Sequence, residues 1–594
     1  MEARHIQDFS HGGNVTHHWG YADRLVPCTN DAGSCEYLDE VYGAHDIGMR
    51  YVGILWITVI AVLFAWGVLY RMSSSRLSQT FSSLMNRYLL PEFKAGRWLF
   101  GRTTRLQVLV LAILAAYLSV FTFAGIGYHK WITPVKNSPG VYNTRSSLGP
   151  WSDRIGTIAY ALTPLSILLA SRESLLSVIT GLPYHHFNFL HRWLGHIIFM
   201  QSALHTIGWC VIENKLYQPQ PTVAIEWIKQ PYMIWGVVAM IVLLLLWGLS
   251  TRWAQRRFGY EFFRKAHYVL AIIYIGAAIG HWSGLQCFLI PSILLWGLDR
   301  GIRLGRAALI HYQIMPDGKG LFKSIDATVT HFDEEIVRLD FVSQVRWSTG
   351  QHFYVTFSDK SFWQSHPFTP LSVSGPRQAY LFRGKKGETK RIAESTLATL
   401  PVILTGPYGQ SVTEKLTDDC NVLCIAGGTG VTFVLPVLLE LANSSTTGSL
   451  ELVWVIRHDH DRKWIARELD LLRASDRVKI TIVATRDPTN LSSTSSSSAS
   501  ATSSDDKDVP LQTPMTELSE NEKVREVHHR PDLPSVVREF VSSTDKGATT
   551  VYVSGPASMI TDVREEVARY NDPAKVWKGQ QEARIELIHD ERLE

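Results

Sequence analysis

LHRWLGHIIFMQSALHTIGW, residues 190–209, reads as a membrane-crossing helix that carries three histidines, His191, His196 and His205. Ionisable side chains inside a bilayer are costly, so each needs a partner or a function. His191 and His205 are 14 residues apart. At about 3.6 residues per turn both lie on one helix face, separated along the axis by about 21 Å. A hydrocarbon layer of about 30 Å then has one histidine near each leaflet. His196 is half a turn out of phase with His205 and points elsewhere.

A second stretch repeats the spacing. His267 in RKAHYVLAI and His281 in AIGHWSG are also 14 residues apart. One apolar span lies between the two histidine helices, so they run in the same direction. Matched spacing aligns His191 with His267 and His205 with His281, making two sites stacked across the membrane. Two imidazoles suit zinc poorly, because zinc usually takes four ligands. They suit the axial positions of a haem iron, which then passes electrons and does not readily bind oxygen. A single buried histidine is more often a hydrogen-bonding residue between helices; two equally spaced pairs favour the ligand reading. His185, His186 and His129 read as ordinary polar residues.

The rest of the chain places this stretch in context. Its 594 residues exceed one compact core. Residues 51–300 carry nearly all the long apolar runs, and residues 310–594 read like a soluble protein. Seven transmembrane candidates are expected: 51–70, 106–127, 155–171, 190–212, 233–250, 267–282 and 285–299. The last two form a hairpin at His281-Trp282-Ser283-Gly284. The net charge of +4 is too small to point to nucleic acid, and the basic residues cluster beside the apolar segments. Arg71 to Arg105, Arg252 to Lys265 and Arg300 to Arg306 would face the cytosol. That orientation leaves the N-terminus outside and the C-terminal half in the cytosol. One loop resists: residues 128–154 carry Lys130, Lys136, Arg145 and Arg154 yet must face outward.

No apolar stretch precedes residue 51, so no cleavable signal peptide is expected. Asn14-Val15-Thr16 is a glycosylation sequon on the outer side. Cys28 and Cys35 either pair there or remain free; the other four cysteines lack metal-ligand spacing.

In the C-terminal half, IVRLDFV (336–342) and QHFYVTF (351–357) alternate apolar and polar residues, as in a small antiparallel barrel. VLCIAGGTGVTFVLPVLLELA (422–442) is an apolar strand, a glycine turn and a helix. There Gly427, Gly428 and Gly430 would let the backbone approach a pyrophosphate at the helix N-terminus. Residues 487–527, with STSSSSASATSSDD, are of low complexity and read as a disordered insert.

HRWLG, the doubled 14-residue spacing and the basic loop between the pairs resemble the fungal ferric-chelate reductases, relatives of the NADPH oxidases. The resemblance implies two b-type haems on His191, His267, His205 and His281, and spans roughly residues 105–594. SHPFTPLSVSG (365–375) matches the family's HPFT motif, so FAD binding carries over to His366, Pro367, Phe368 and Thr369. Thr349-Gly350-Gln351-His352 resembles the PGQH that precedes it, with Thr349 for proline; Pro370 replaces a more usual aliphatic residue. GKKGETKRI (384–392) resembles a flavin-phosphate segment with Gly387 and Thr389, and GPYG, with Gly406, ends the barrel. Gly427, Gly428, Thr429 and Gly430 resemble the GGSG of the nicotinamide-dinucleotide site, and Arg457 is the candidate for the 2′-phosphate of NADPH. Ser554, Gly555 and Pro556 resemble the family's CGP, with Ser554 for cysteine. His529 replaces a family glycine, and LIHDERLE lacks the terminal aromatic residue that covers the flavin in relatives. These departures imply slower or differently tuned hydride transfer.

The expected architecture is multidomain: an N-terminal tail over 1–50, an all-α transmembrane di-haem bundle over 51–305, an FAD-binding antiparallel β-barrel over 306–415 and an NADPH-binding α/β domain over 416–594. The expected function carries electrons from cytosolic NADPH through FAD and two haems to an extracytoplasmic ferric or cupric chelate. Membrane lipids and a downstream iron permease or oxidase are expected partners. The plasma membrane is the family's usual place, with vacuolar relatives known. The alternatives are a superoxide-generating NADPH oxidase, whose second pair is often one residue shorter in spacing, and a non-catalytic haem-binding relative.

Overall fold

The computed structural model describes residues 14–72, 75–136, 138–314, 324–333, 335–358, 364–486, 522–526, 531–544 and 546–590. Two compact units emerge, one from residues 1–71 and 107–303, the other from 72–106 and 304–594.

The first unit is helical. Among the described residues six helices are long and apolar enough to cross a membrane: Ala32–Arg71, Arg105–Phe123, Tyr184–Leu216, Pro231–Leu249, Tyr260–His281 and Ser283–His311. The long helices are named α1 (Ala32–Arg71), α2 (Arg105–Phe123), α3 (Leu148–Ala170), α4 (Asn188–Val211), α5 (Pro231–Leu249), α6 (Tyr260–His281) and α7 (Gln286–Ile314). α3 corresponds to the third expected span but is not among the six. It carries Asp153, Arg154 and Pro164, which lower its apolarity, yet fourteen of its residues are buried. Its charges are partnered inside: Arg154 donates to Ala124 O (2.5 Å), and Asp153 accepts from Tyr21 Oη and Trp209 Nε1. Met49, Val52, Ile158, Leu162, Leu194 and Leu246 knit the helices into one core.

The expected tail over 1–50 is corrected from residue 32 onward, where α1 begins. Its 40 residues extend about 60 Å, twice the hydrocarbon thickness of about 30 Å. Tyr37, Leu38, Val41 and His45 in its first half are buried, which hydropathy centred on 51–70 could not register. Cys28 and Cys35 form a disulfide, and Asn14–Thr16 is an exposed strand. A hairpin of Lys130–Pro134 and Tyr142–Ser146 covers this half of α1, with Trp131 Nε1 donating to Glu36. Arg145 lies over the rings of Tyr37 and Tyr217. Two of the four basic residues that resisted the charge pattern, Arg145 and Arg154, are therefore interior packing groups.

The second unit holds two sheets. The first contains β1 (Ile325–Phe332), β2 (Ile336–Val342), β3 (His352–Phe357), β4 (Ser365–Phe368), β5 (Arg377–Arg383) and β6 (Thr399–Tyr408). They run antiparallel in the order β4-β3-β6-β1-β2-β5 around a core with Val337, Leu339, Phe353, Val355, Phe382 and Leu404. The second contains β7 (Asn421–Gly427), β8 (Leu450–Ile456), β9 (Val478–Ala484), β10 (Glu522–Glu526), β11 (Thr549–Ser554) and β12 (Ile585–Asp590). Every pairing is parallel, in the order β10-β9-β8-β7-β11-β12. Such a sheet is covered on both faces, which explains the continuous apolar run of β7. The strand order reverses between β7 and β11, and ligands of such sheets bind at that switch point. The fold class is thus a membrane helical bundle followed by a β-rich flavin-type domain and an α/β dinucleotide domain.

Two boundaries change. Residues 72–106, expected inside the bundle, belong to the second unit. Within the expected insert, Glu522–Glu526 pairs with β9 as an edge strand. Residues 487–521 and 527–530, including His529, and the last four residues lie outside the described residues.

Candidate functional site

α4 presents His191 and His205, and α6 presents His267 and His281. The rings of His191 and His267 have centroids 6.1 Å apart at 76°, and those of His205 and His281 are 6.1 Å apart at 81°. The expected partners are thus brought together in both pairs. Three histidines make their Nδ1 contact to a backbone carbonyl: His191 to Ser166 (2.9 Å), His205 to Ser152 (2.8 Å) and His281 to Tyr232 (2.9 Å). His267 Nδ1 lies 3.4 Å from Ser250 Oγ. A carbonyl only accepts, so those Nδ1 atoms carry the proton and Nε2 keeps its lone pair for a metal.

The spacing fits an ion held between the rings. Two metal–nitrogen bonds of about 2 Å, plus the depth of each ring, fill a centroid separation of this size. The helices leave room for a flat group: α4 packs chiefly along α3, and α6 along α5. A largely apolar cavity of about 230 Å³ meets His205, His281, Gly156, Gly236 and Trp209. Beside it, a space of about 40 Å³ is shared by the same two histidines with Tyr21, His45 and Asp153. His45 is 2% exposed, and its Nδ1 has no hydrogen-bond partner. Such an orphaned polar atom would be satisfied by a polar substituent of a bound group.

Two glycines in this site were not legible beforehand. A Cβ on Gly156 would come within 2.8 Å of His205 Nδ1, and one on Gly236 within 2.6 Å of His281 Nδ1. Each sits on a neighbouring helix where the imidazole crosses. Glycine inside a helix costs stability, which hints at a close approach but not at what approaches. His196 Nδ1 accepts a hydrogen bond from Trp247 Nε1 at 2.9 Å, so it serves a contact to α5.

In the antiparallel sheet, β4 is an edge strand, and His366 and Phe368 remain partly accessible on it. Phe368 stacks on Phe382 at 4.8 Å, and Thr369 is buried. His366 Nε2 lies 3.1 Å from Glu388 Oε2. Glu388 is in α8 (Gly387–Ala393), so the HPFT strand and the GKKGETKRI segment meet. Gly387 has φ +60°, and Thr389 Oγ1 donates to Lys386 O. Gly406 lies on β6, beside β3, with Phe353 at 3.0 Å from a Cβ built there. Glu388 was not singled out from sequence, because only the fold shows which side chain reaches His366.

At the switch point, Gly427 to Gly430 leads from β7 into α9 (Val431–Ala442), and Ser554, Gly555 and Pro556 lead from β11 into α10 (Ala557–Tyr570). The two turns touch: a Cβ on Gly430 would lie 2.3 Å from Ser554 O, and one on Gly427 3.0 Å from Pro556. A cleft of about 1160 Å³ opens there, lined by Gly427, Gly428, Thr429, Arg457, Gly555 and Pro556 among others. Arg457 follows β8, and its backbone N–H donates to Asp461.

An apolar bundle with paired histidines, a flavin-type sheet and a dinucleotide fold define the class: a transmembrane NAD(P)H oxidoreductase. The family described as ferric reductase like transmembrane component matches residues 155–278, the FAD-binding domain 322–412, and the ferric reductase NAD binding domain 420–568. A probable ferric reductase transmembrane component of Candida albicans is 26% identical, over 89% of this chain and 79% of its own. A ferric/cupric reductase transmembrane component 1 of Candida albicans (strain SC5314 / ATCC MYA-2876) is also 26% identical, over 89% of this chain and 70% of its own. A solved ferredoxin NADP+ reductase from Neisseria gonorrhoeae aligns with 45% of this chain and 99% of its own, at 12% identity and a TM-score of 0.30. The chain belongs to the fungal ferric reductase family, as an integral membrane enzyme with FAD- and NAD-binding domains.

Proposed function

We propose that this protein carries electrons from cytosolic NADPH across a membrane and reduces a ferric, or cupric, chelate on the far side. FAD and two b-type haems would be its resident cofactors. The observation that supports the reading most strongly is the pair of facing imidazole pairs, each with ring centroids 6.1 Å apart. Names of relatives as ferric and ferric/cupric reductases support the acceptor class. The basic segments on one side of the bundle favour an N-terminus outside, and the family favours the plasma membrane.

Bound FAD takes a hydride and releases electrons singly, and bound haem passes single electrons. The chain's own part is to hold, orient and shield. His191 and His267 would hold the inner haem, His205 and His281 the outer one. Ser166, Ser152 and Tyr232 lock three of these rings through their carbonyls. His366, Pro367, Phe368, Thr369, Gly387, Thr389 and Gly406 would form the FAD site. Gly427, Gly428, Thr429, Gly430, Ser554, Gly555 and Pro556 would let NADPH approach the backbone, with Arg457 near its 2′-phosphate.

Membranes containing the protein, supplied with NADPH, FAD and haem, test this with a ferrous chelator and a superoxide probe read together. Fe(II) formation insensitive to superoxide dismutase is expected. Superoxide without direct iron reduction would make it an oxidase. Haem bound without any turnover would make it a non-catalytic relative.

A further inference from the structure

We propose that Arg102, in the segment between the first two long helices, is a phosphate-binding residue of the dinucleotide cleft. The proposal rests on the reading that this cleft takes NADPH. The basic run Arg71 to Arg105 was legible only as a topology signal, yet residues 72–106 fold with the second unit.

The segment is tied to that unit along its length. Helix Arg76–Tyr88 places Ser83, fully buried, against Asn571 Oδ1 at 3.1 Å. Asn86 Nδ2 donates to Ile585 O (3.1 Å) and Arg87 Nη1 to Asn571 O (2.5 Å). Further on, Lys94 Nζ pairs with Glu565 at 2.9 Å. Asn571 caps the C-terminal end of α10 and Glu565 lies within it. The segment therefore follows α10 back toward its N-terminus, where Gly555 and Pro556 stand.

Arg102 is then delivered by a pinned loop. Phe93 N donates to Thr103 O (2.9 Å), Arg105 N to Pro91 O (2.9 Å) and Leu106 N to Leu89 O (3.0 Å). Gly101, at φ +75°, makes the turn, and Arg97 pairs with the buried Glu92. The side chain of Arg102 is exposed and lines the same cleft as Gly427, Gly428, Arg457 and Pro556. A dinucleotide brings several phosphate charges to a glycine turn that offers backbone N–H groups and the Thr429 hydroxyl but no positive charge. A guanidinium adds a fixed fork of donors that matches phosphate oxygens.

The test uses the full-length protein in membranes or detergent, comparing wild type with Arg102→Gln and Arg102→Lys. Equilibrium binding of NADP+, NAD+ and adenosine 2′,5′-bisphosphate is measured, together with flavin content and melting temperature. Arg102→Gln should weaken NADP+ by about tenfold, raise the KM for NADPH and leave kcat at saturation unchanged. Arg102→Lys should recover part of the loss. Weakening of NADP+ and the bisphosphate alone assigns the 2′-phosphate; equal weakening of NADP+ and NAD+ assigns the pyrophosphate. Unchanged binding of all three would overturn the proposal, as would a loss that tracks flavin content. Wild-type protein that binds none of them would overturn the NADPH reading itself, which separates the two failures.

Discussion

His205 and His281 face each other across the helical bundle with ring centroids 6.1 Å apart, and each anchors its Nδ1 on a carbonyl of a different neighbouring helix. The two carbonyls, of Ser152 and Tyr232, fix the Nδ1 side of each ring. Removing either ring leaves one imidazole where two face each other. His205→Ala should lose the outer haem, halving the bis-histidine absorbance in reduced-minus-oxidised spectra. External ferric reduction should fall to background, while NADPH still reduces the flavin. External reduction at the wild-type rate would sink the proposed path.

Gly236→Ala tests the packing that holds the second ring. The added methyl would lie 2.6 Å from His281 Nδ1, too close for either atom to keep its place. Because outer-shell contacts to a metal ligand are worth roughly 10–100-fold in affinity, haem content at the outer site should drop while the inner pair keeps its spectrum. Electron paramagnetic resonance separates the two haems. An unaltered outer signal would show that the helix moves aside at no cost.

In the flavin-type sheet, Glu388 steadies His366 at 3.1 Å from within a buried position. Glu388→Gln removes the charge but keeps the shape. A charge-assisted hydrogen bond is worth about 1.5 kcal/mol or more, so FAD should bind roughly tenfold more weakly. Fluorescence titration of FAD into deflavinated protein would measure this. Unchanged affinity would confine Glu388 to local packing.

Arg338 joins the two sheets of the second unit. It donates to Glu468 at 2.8 and 3.0 Å and to Trp464 O at 3.2 Å. Burial works against its charge, but hydrogen bonds to Glu468 and Asp340 outweigh burial and hold it more firmly protonated than a free arginine. Arg338→Ala strands Glu468 in the interior, and breaking such a pair costs about 3 kcal/mol. Thermal release of flavin should occur at a clearly lower temperature. Arg338→Met with Glu468→Leu should recover much of that loss, since no unpaired charge is then left buried, Asp340 being exposed to water.

Several features were legible before any coordinates. The histidine pairs were, because a spacing of 14 returns a helix to nearly the same face and needs no tertiary information. The strand, glycine turn and helix of the dinucleotide fold were legible in VLCIAGGTG, and its unbroken apolar run fits a strand covered on both faces. The extent of α1 was not: its first half is buried along α3 and under the hairpin of Lys130–Pro134 and Tyr142–Ser146, and average hydropathy does not register burial through specific partners. His196 was legible as lying off the ligand face, but its partner, Trp247 on α5, was not.

Local periodicity therefore determined which residues share a face, where the apolar helices lie and where a dinucleotide turn begins, since each depends on neighbours within a few residues. The tertiary structure alone decided the rest. It set Gly156 and Gly236 under the imidazoles, joined Glu388 to His366, and enrolled residues 72–106 in the second unit. Those relationships connect residues tens to hundreds of positions apart, and only packing, which excludes one Cβ and admits one carboxylate, brings such residues together.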